Sequence, residues 1–141
     1  MEEKSNKIAI IVRNPSFDNL LFAINYASVS VASGLSTNML FVGWAAEKLV
    51  DGKLNVVDVP LGYEGRKSWF EKRLKETGYN EIYKMLKEVK ETGNLKIYIC
   101  SSTSKIWEIP EKELAPEVDG VIGLTQFLLE EVMKAKKCIV L

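Results

Sequence analysis

Short apolar runs recur along this chain of 141 residues, and segments with helical spacing separate them. The first covers Lys7 to Val12, and the most continuous covers residues 94–100. Others lie at residues 38–43, 118–122 and 138–141. Such runs are typical of strands buried on both faces, and strands that alternate with helices build a parallel sheet through right-handed crossovers. The pattern predicts a single three-layer, flavodoxin-like α/β domain over residues 1–141, with about five strands in a mainly parallel sheet and helices on both faces.

Helical spacing fills the segments between these runs. The first helix is predicted over Phe17 to Ser33 and is apolar nearly all round, because Phe22, Tyr26 and Val29 lie outside its main apolar stripe. Its own sheet would cover only one side, so we expect another subunit to cover the rest; a long loop over the helix is the alternative. Further helices are predicted at residues 44–50, 68–77, 80–92 and 125–135, the third capped by Asn80.

The stretch between the second and third runs is less regular. Residues 53–59 are predicted as a small edge strand or an extended link, and residues 60–67, with one proline and two glycines, as a loop. Tyr63, Trp69 and Phe70, in or near this loop, are candidates for a lid over a ligand. Packing and subunit contacts are the other roles open to these three rings.

The charge balance argues against two classes of partner. Nineteen basic and nineteen acidic residues leave no net field to attract nucleic acid or an anionic membrane. Residues 19–46 carry no charge, but polar side chains and Gly34 interrupt this stretch, which favours a buried helix and strand over a membrane span. The first seven residues lack the form of a signal peptide, so a cytoplasmic protein is expected.

The absence of histidine narrows the chemistry, because it removes imidazole bases, histidine ligands and triads. The two cysteines, Cys100 and Cys138, do not form a usual zinc or iron–sulfur motif, and no metal site or cofactor is expected. The chain contains no dinucleotide fingerprint, Walker A loop or C-x-x-C pair, and Ile106 occupies the position where a phosphatase loop needs arginine. Any catalysis would therefore fall to a thiol, a carboxylate, a lysine or the backbone.

Cys100 is the candidate reactive group, because it ends a buried strand at the sheet edge where open α/β folds bind ligands. The four residues after it are Ser101, Ser102, Thr103 and Ser104. These cap-type residues predict a helix start, whose free N–H groups and dipole favour thiolate. The same cluster is a candidate site for substrate anions. Inert packing is the alternative for the cysteine, and simple capping for the hydroxyls.

Other residues are candidates to share that edge. Arg13 and Asn14 follow the first strand and would contact a substrate beside Cys100 if the two strands are neighbours. Lys105 is a candidate cation beside the thiolate, although a lysine one turn into a helix usually points to solvent. Cys138 lies in a terminal apolar run, which favours a structural role.

In the order and spacing of these elements the chain resembles the DsrE/DsrF/DsrH-like family of small sulfur-metabolism proteins. The resemblance rests on the first helix and on residues 7–12, 39–44, 81–93, 97–100 and 119–124. It implies a five-stranded α/β fold, oligomers from dimer to hexamer, and a cysteine that carries sulfur as a persulfide. That cysteine falls at Cys100. Some members of the family are described as peroxiredoxin-like or as oxidoreductases.

Together the residues and the resemblance favour a cytoplasmic sulfur carrier or sulfurtransferase-like protein. Under this hypothesis, Cys100 takes sulfane sulfur from a donor protein and passes it to the thiol of an acceptor protein. A thiol oxidoreductase is the related enzyme activity. The alternatives are a non-catalytic oligomeric subunit with a structural cysteine, and a module that binds a nucleotide or another small ligand.

Overall fold

A computed structural model describes residues 5–141 and contains a five-stranded sheet in which all strands are parallel. The strands are β1 (Lys7–Val12), β2 (Ser36–Phe41), β3 (Leu95–Cys100), β4 (Gly120–Ile122) and β5 (Lys137–Val140). The predicted three-layer, flavodoxin-like α/β architecture is confirmed. The order along the sheet is β4-β3-β2-β1-β5, whereas flavodoxin itself has 2-1-3-4-5. The difference arises because the chain runs outward from β1 to β4 before β5 returns to pair with β1.

Helices connect successive strands. They are α1 (Phe17–Ala32), α2 (Lys67–Thr77), α3 (Ile82–Glu91), α4 (Ser101–Ile106) and α5 (Leu124–Phe127), which a π-helical turn (Leu128–Val132) continues. Short 3-10 segments cover Gly43–Leu49, Glu64–Arg66 and Glu111–Glu113. Within residues 5–141, none of these helices combines the length and the apolar composition needed to cross a bilayer.

The first face of the sheet carries the main hydrophobic core. Ile10 and Val12 of β1 and Met39 and Phe41 of β2 belong to it. Helices α1, α2 and α3 and the 3-10 segment after β2 cover these residues with Phe17, Leu20, Ile24, Leu49, Leu74, Ile82 and Leu86. Burial of each side chain of this size contributes about 1.5–3 kcal/mol. This face therefore supplies most of the apolar stabilisation.

Helix α3 begins without its predicted cap. Asn80 lies outside the helix, and no side chain at the flanking position caps it. Instead, the Oδ1 atom of Asn55 accepts a hydrogen bond of 2.9 Å from the N–H of Tyr83 in the first turn. Residues 53–59 contain no strand: a turn closed by the N–H of Val56 on the Lys53 carbonyl is followed by an irregular link, so the predicted edge strand is wrong.

The second face of the sheet has a thinner cover. Ala9, Leu40 and Cys100 line it, and Phe127 of α5 is fully buried against them. Ile11, Val42, Tyr98, Ile122 and Val132 surround this small cluster and are only half-buried. Farther out, Leu124, Leu128, Leu129, Met133 and Val140 are exposed. The candidate thiol thus lies beneath the less protected of the two faces.

The outer side of α1 is also uncovered. Phe22 is 54% exposed and Val29 is 66% exposed, while Tyr26 is half-buried. No loop of residues 5–141 covers Phe22 or Val29, so the loop alternative is wrong for these two side chains. Cover by a second subunit stays a prediction.

Candidate functional site

The Cys100 thiol lies at the junction of β3 and α4, as the sequence predicts. Cys100 is the last residue of the strand and flanks a helix that begins at Ser101. Its extended backbone, with φ of −65° and ψ of 132°, lets the chain pass directly from strand to helix. The residue is 4% exposed, so the sulfur faces protein groups in place of bulk water.

Polar groups from the first turn of α4 surround the sulfur. The Sγ atom of Cys100 lies 3.2 Å from the Oγ atom of Ser102. The backbone N–H groups of Ser102 and Thr103 also favour the charged form of this sulfur, because the first amides of a helix have no partner inside it. The Oγ1 atom of Thr103 accepts the N–H of Gly43 at 3.0 Å, which leaves the Thr103 proton free to point to the thiol.

Burial and hydrogen bonding act on this thiol in opposite directions. Burial raises the pKa of the Cys100 thiol, because a low-polarity environment disfavours the charged form. The hydroxyls and amides of Ser102 and Thr103 lower it, and their combined effect outweighs burial. The pKa of Cys100 is therefore held below the ordinary value for cysteine. A larger fraction is thiolate near neutral pH than in a free cysteine.

The other predicted residues of the cluster have different partners. Ser104 is buried, and its hydroxyl donates to the Oε1 atom of Glu111 at 3.0 Å. Ser101 is half-buried and faces Gly123, where a Cβ atom would lie 3.8 Å from the serine oxygen. Lys105 is exposed. Ser102 and Thr103 thus form the thiol site, whereas Ser104 ties α4 to the following loop.

Arg13 and Asn14 do not flank the thiol. Strand β2 lies between β1 and β3, so the two strands are not neighbours and are about 10 Å apart. The N–H of Arg13 donates to the Leu141 carbonyl, and the Oδ1 atom of Asn14 accepts the N–H of Ser16. The prediction that these residues lie beside Cys100 is wrong, because it depended on a strand order that the fold does not have.

The second cysteine lies in a different environment. Cys138 is exposed on the edge strand β5, so it lacks the burial that its predicted structural role would require. Partial desolvation raises the pKa of Cys138, and no hydrogen bond offsets this effect. Two strands separate β5 from β3, which places the two cysteines more than about 14 Å apart, too far for a disulfide.

The aromatic segment predicted as a lid lies elsewhere. Tyr63, Trp69 and Phe70 line a cavity with Asp18 of α1, and Cys100 is not part of its wall. Phe70 packs against Phe17 in the core of the first face, with ring centroids 6.1 Å apart. Because the thiol points to the second face, the prediction that this segment covers it is wrong.

Gly43 is a site residue that the sequence reasoning missed. It follows β2 with a positive φ of 59°, a conformation that favours glycine, and donates its N–H to Thr103. The next residue, Trp44, packs edge-on against Trp107 at the end of α4, with centroids 5.4 Å apart. A glycine directly after an apolar strand was the available signal. Its partner could not be named, because the two residues are 60 positions apart.

Comparisons with known proteins bear on the fold. A scan against models of known protein families finds no match, and a search of curated proteins finds none either. The fold is similar to that of a solved structure, a protein of unknown function from Methanobacterium thermoautotrophicum, with a TM-score of 0.57 and 10% identity. The match covers 94% of this chain and 97% of that chain. At this identity the likeness shows the fold alone, so function has to be argued from the thiol site.

Proposed function

We propose that the protein is a cytoplasmic sulfur carrier or sulfurtransferase-like protein of the DsrE/DsrF/DsrH-like type, with Cys100 as the sulfur-carrying residue. The observation that carries the proposal is the position of the buried Cys100 sulfur at the start of α4, 3.2 Å from the Ser102 hydroxyl, an arrangement that lowers the pKa of the thiol. A cysteine that only fills space needs no donors aimed at its sulfur, and burial alone would keep it protonated. Here two hydroxyls and two amides favour the nucleophilic form.

The proposed reaction is thiol–persulfide exchange. The Cys100 thiolate attacks the outer sulfur of a donor persulfide, the donor's sulfur–sulfur bond breaks, and the donor leaves as a thiolate. Cys100 then holds the transferred sulfur as a persulfide, which an acceptor thiolate removes in a second exchange of the same kind. Atoms and electrons balance in each step without an added oxidant, metal or organic cofactor. Ser102 and Thr103 would hold the negative charge at Cys100 before attack.

Donor access requires a local displacement, because Cys100 is only 4% exposed. The half-buried side chains of Val42 and Ile122 belong to the cluster that contains the thiol, on the thinly covered second face. Residues covered this lightly open at lower free energy than residues of the main core. We therefore propose that a donor reaches the sulfur at the end of β3, between Val42 after β2 and Ile122 at the end of β4.

The pH dependence of thiol alkylation tests this proposal. In a Cys138→Ser background, the alkylation rate is expected to rise with pH to a plateau. The midpoint of this rise is expected to lie below the usual cysteine pKa of about 8.5. Replacement of Ser102 by alanine removes one hydrogen bond to the thiolate and shifts the profile to higher pH. Relative to its own plateau, this variant is expected to react roughly tenfold more slowly at about pH 7. Iodoacetamide kinetics with mass detection measure both quantities.

The profile separates access from ionisation. The plateau rate reports how often the sulfur is reachable, and the midpoint reports its pKa. Ser101→Ala is the matched control, because the Ser101 hydroxyl faces Gly123 and is expected to leave the midpoint unchanged. A midpoint at or above about 8.5, with Ser102→Ala indistinguishable from its parent, would contradict a carrier role for Cys100.

One observation favours a second candidate function, a non-catalytic oligomeric subunit with a structural cysteine. The low exposure of Cys100 is what that function requires, and the exposed apolar residues of the second face and of α1 suit subunit contacts. The alkylation midpoint discriminates between the two functions, because a structural thiol has no need for a lowered pKa.

We further propose that the protein assembles with copies of itself through the second face of the sheet. Leu129 is 58% exposed, Met133 is 70% exposed and Val140 is 55% exposed, all beside the cluster that contains Cys100. This region exposes more large apolar side chains than the outer side of α1, where Phe22 and Val29 stand out. An assembly through this face would also set the access of donor and acceptor proteins to the thiol.

Replacement of Leu129 by glutamate is expected to reduce the molar mass in solution to that of one chain, because an unpaired carboxylate buried in an apolar interface costs several kcal/mol. Phe22→Glu is the matched control on α1 and should leave the assembly intact. Size-exclusion chromatography with light scattering measures both. A monomeric wild-type protein would rule out self-assembly, and loss of assembly in Phe22→Glu alone would move the interface to α1.

A further inference from the structure

A cavity away from Cys100 combines aromatic walls with two charges of opposite sign. Its volume is about 390 Å³, within the roughly 300–1,000 Å³ that small-ligand sites occupy. Tyr63, Trp69 and Phe70 form its aromatic side, and Asp18 and Arg66 bring the charges. The cavity is separate from the thiol site, because Cys100 does not line it.

The aromatic wall is anchored to the core yet leaves ring surface uncovered. Phe70 fixes the wall through its edge-on contact with the buried ring of Phe17. Tyr63 and Trp69 remain 57% and 53% exposed. Large rings left open around a concave site are what an apolar ligand body packs against.

Arg66 contacts the ring of Trp69 but has no carboxylate partner among residues 5–141. Its guanidinium carbon lies 4.2 Å from the ring centroid of Trp69, a cation–π contact that holds the group beside the cavity. Within residues 5–141, no carboxylate forms a salt bridge with Arg66 and no side-chain acceptor bonds its N–H groups. The planar fork keeps its donors free for a bidentate carboxylate.

Asp18 brings a negative charge to the cavity that Arg66 also lines. It lies in the first turn of α1 and, within the part of the chain that the structure describes, has no cationic partner. Asp18 and Arg66 do not pair with each other although they line one cavity. Two unlike charges that face a shared space without contact leave a gap that a molecule with both complementary charges can bridge.

We propose that this cavity binds a small zwitterion with an apolar body, the chemical class of the free apolar amino acids and short apolar peptides. The ligand's ammonium group pairs with Asp18, its carboxylate takes the fork of Arg66, and its apolar body packs on Tyr63 and Trp69. This site is independent of the sulfur chemistry at Cys100 and adds a ligand-binding role to the protein.

A titration followed at the indole N–H signal of Trp69 tests the proposal. The probes are L-phenylalanine and L-alanyl-L-phenylalanine as zwitterions, with 3-phenylpropionate and 2-phenylethylamine as analogues that carry one charge each. At least one zwitterion is expected to shift the signal saturably, and each single-charge analogue to bind at least about tenfold more weakly. Trp69→Phe assigns the signal among the three tryptophans.

Variants connect the binding to the two charges. Asp18→Asn and Arg66→Gln are each expected to weaken zwitterion binding at least about tenfold. Asp51→Asn and Arg73→Gln are the matched controls, since neither residue lines the cavity, and should bind as the wild type does. Absence of any shift with both zwitterions overturns the proposal. So does equal binding of a single-charge analogue, or full affinity in both cavity variants with a native spectrum.

Discussion

Replacement of Cys100 by serine is expected to abolish sulfur loading, whereas Cys138→Ser is expected to retain most of it. Incubation of the wild-type protein with polysulfide at about pH 7 should add the mass of sulfur to the peptide that contains Cys100, and a thiol reductant should remove it. The serine hydroxyl cannot replace the thiolate, because its pKa is far too high for it to ionise at this pH. Peptide mass spectrometry before and after reduction is the measurement.

The two variants give opposite results because the two thiols ionise differently. Donors from Ser102 and Thr103 lower the pKa of Cys100, while partial desolvation raises the pKa of Cys138. At neutral pH a larger fraction of the buried Cys100 thiol than of the exposed Cys138 thiol is therefore thiolate. Loading of Cys100→Ser at the wild-type level would assign the chemistry to Cys138, and no loading of any form would exclude the carrier function.

Truncation of Phe127 to alanine is expected to lower the free energy of unfolding by about 3–5 kcal/mol. Its ring is fully buried, and within α5 and its π-helical continuation it is the residue buried in the small cluster of the second face. The loss is a large part of the roughly 5–15 kcal/mol by which a domain of this size is stable. Urea unfolding followed by circular dichroism measures the difference.

Leu129→Ala provides the matched control two residues away. Leu129 is 58% exposed, so its truncation is expected to change the stability of the single chain by no more than about 0.5 kcal/mol. The Phe127 variant should also raise the plateau rate of Cys100 alkylation, because a cavity opens beside the thiol. A stability change below about 1 kcal/mol in Phe127→Ala would mean that the second face is not held in this way.

The local features of the thiol site followed from the residue order. Cys100 closes an apolar run and the next residues are cap formers, so a strand, a cysteine and a helix start could be placed without coordinates. These features depend on neighbours in sequence, for which backbone preferences are informative. The roles within the cluster could not be divided in advance, because the partners of Thr103 and Ser104 lie at Gly43 and Glu111.

The pattern of apolar runs could not predict which strands pair or which distant segments contact each other. The placement of Arg13 and Asn14 beside the thiol failed because several strand orders satisfy the same alternation of strands and helices. The lid failed for a related reason: the spacing of Tyr63, Trp69 and Phe70 says nothing about which face of the sheet they reach. Both outcomes depend on how crossovers pack, and packing is decided by all the buried surfaces together.

By itself, the sequence determined the parallel α/β architecture and the chemical identity of its candidate nucleophile, since period and residue type act over a few neighbouring positions. Only the tertiary structure decided that β2 separates Arg13 and Asn14 from the thiol, that hydrogen bonding lowers the pKa of this buried thiol, and that Asp18 and Arg66 line one aromatic cavity. The physical reason is that hydrogen bonds, desolvation and cavities depend on distances in space, and the fold brings together groups that the chain keeps far apart.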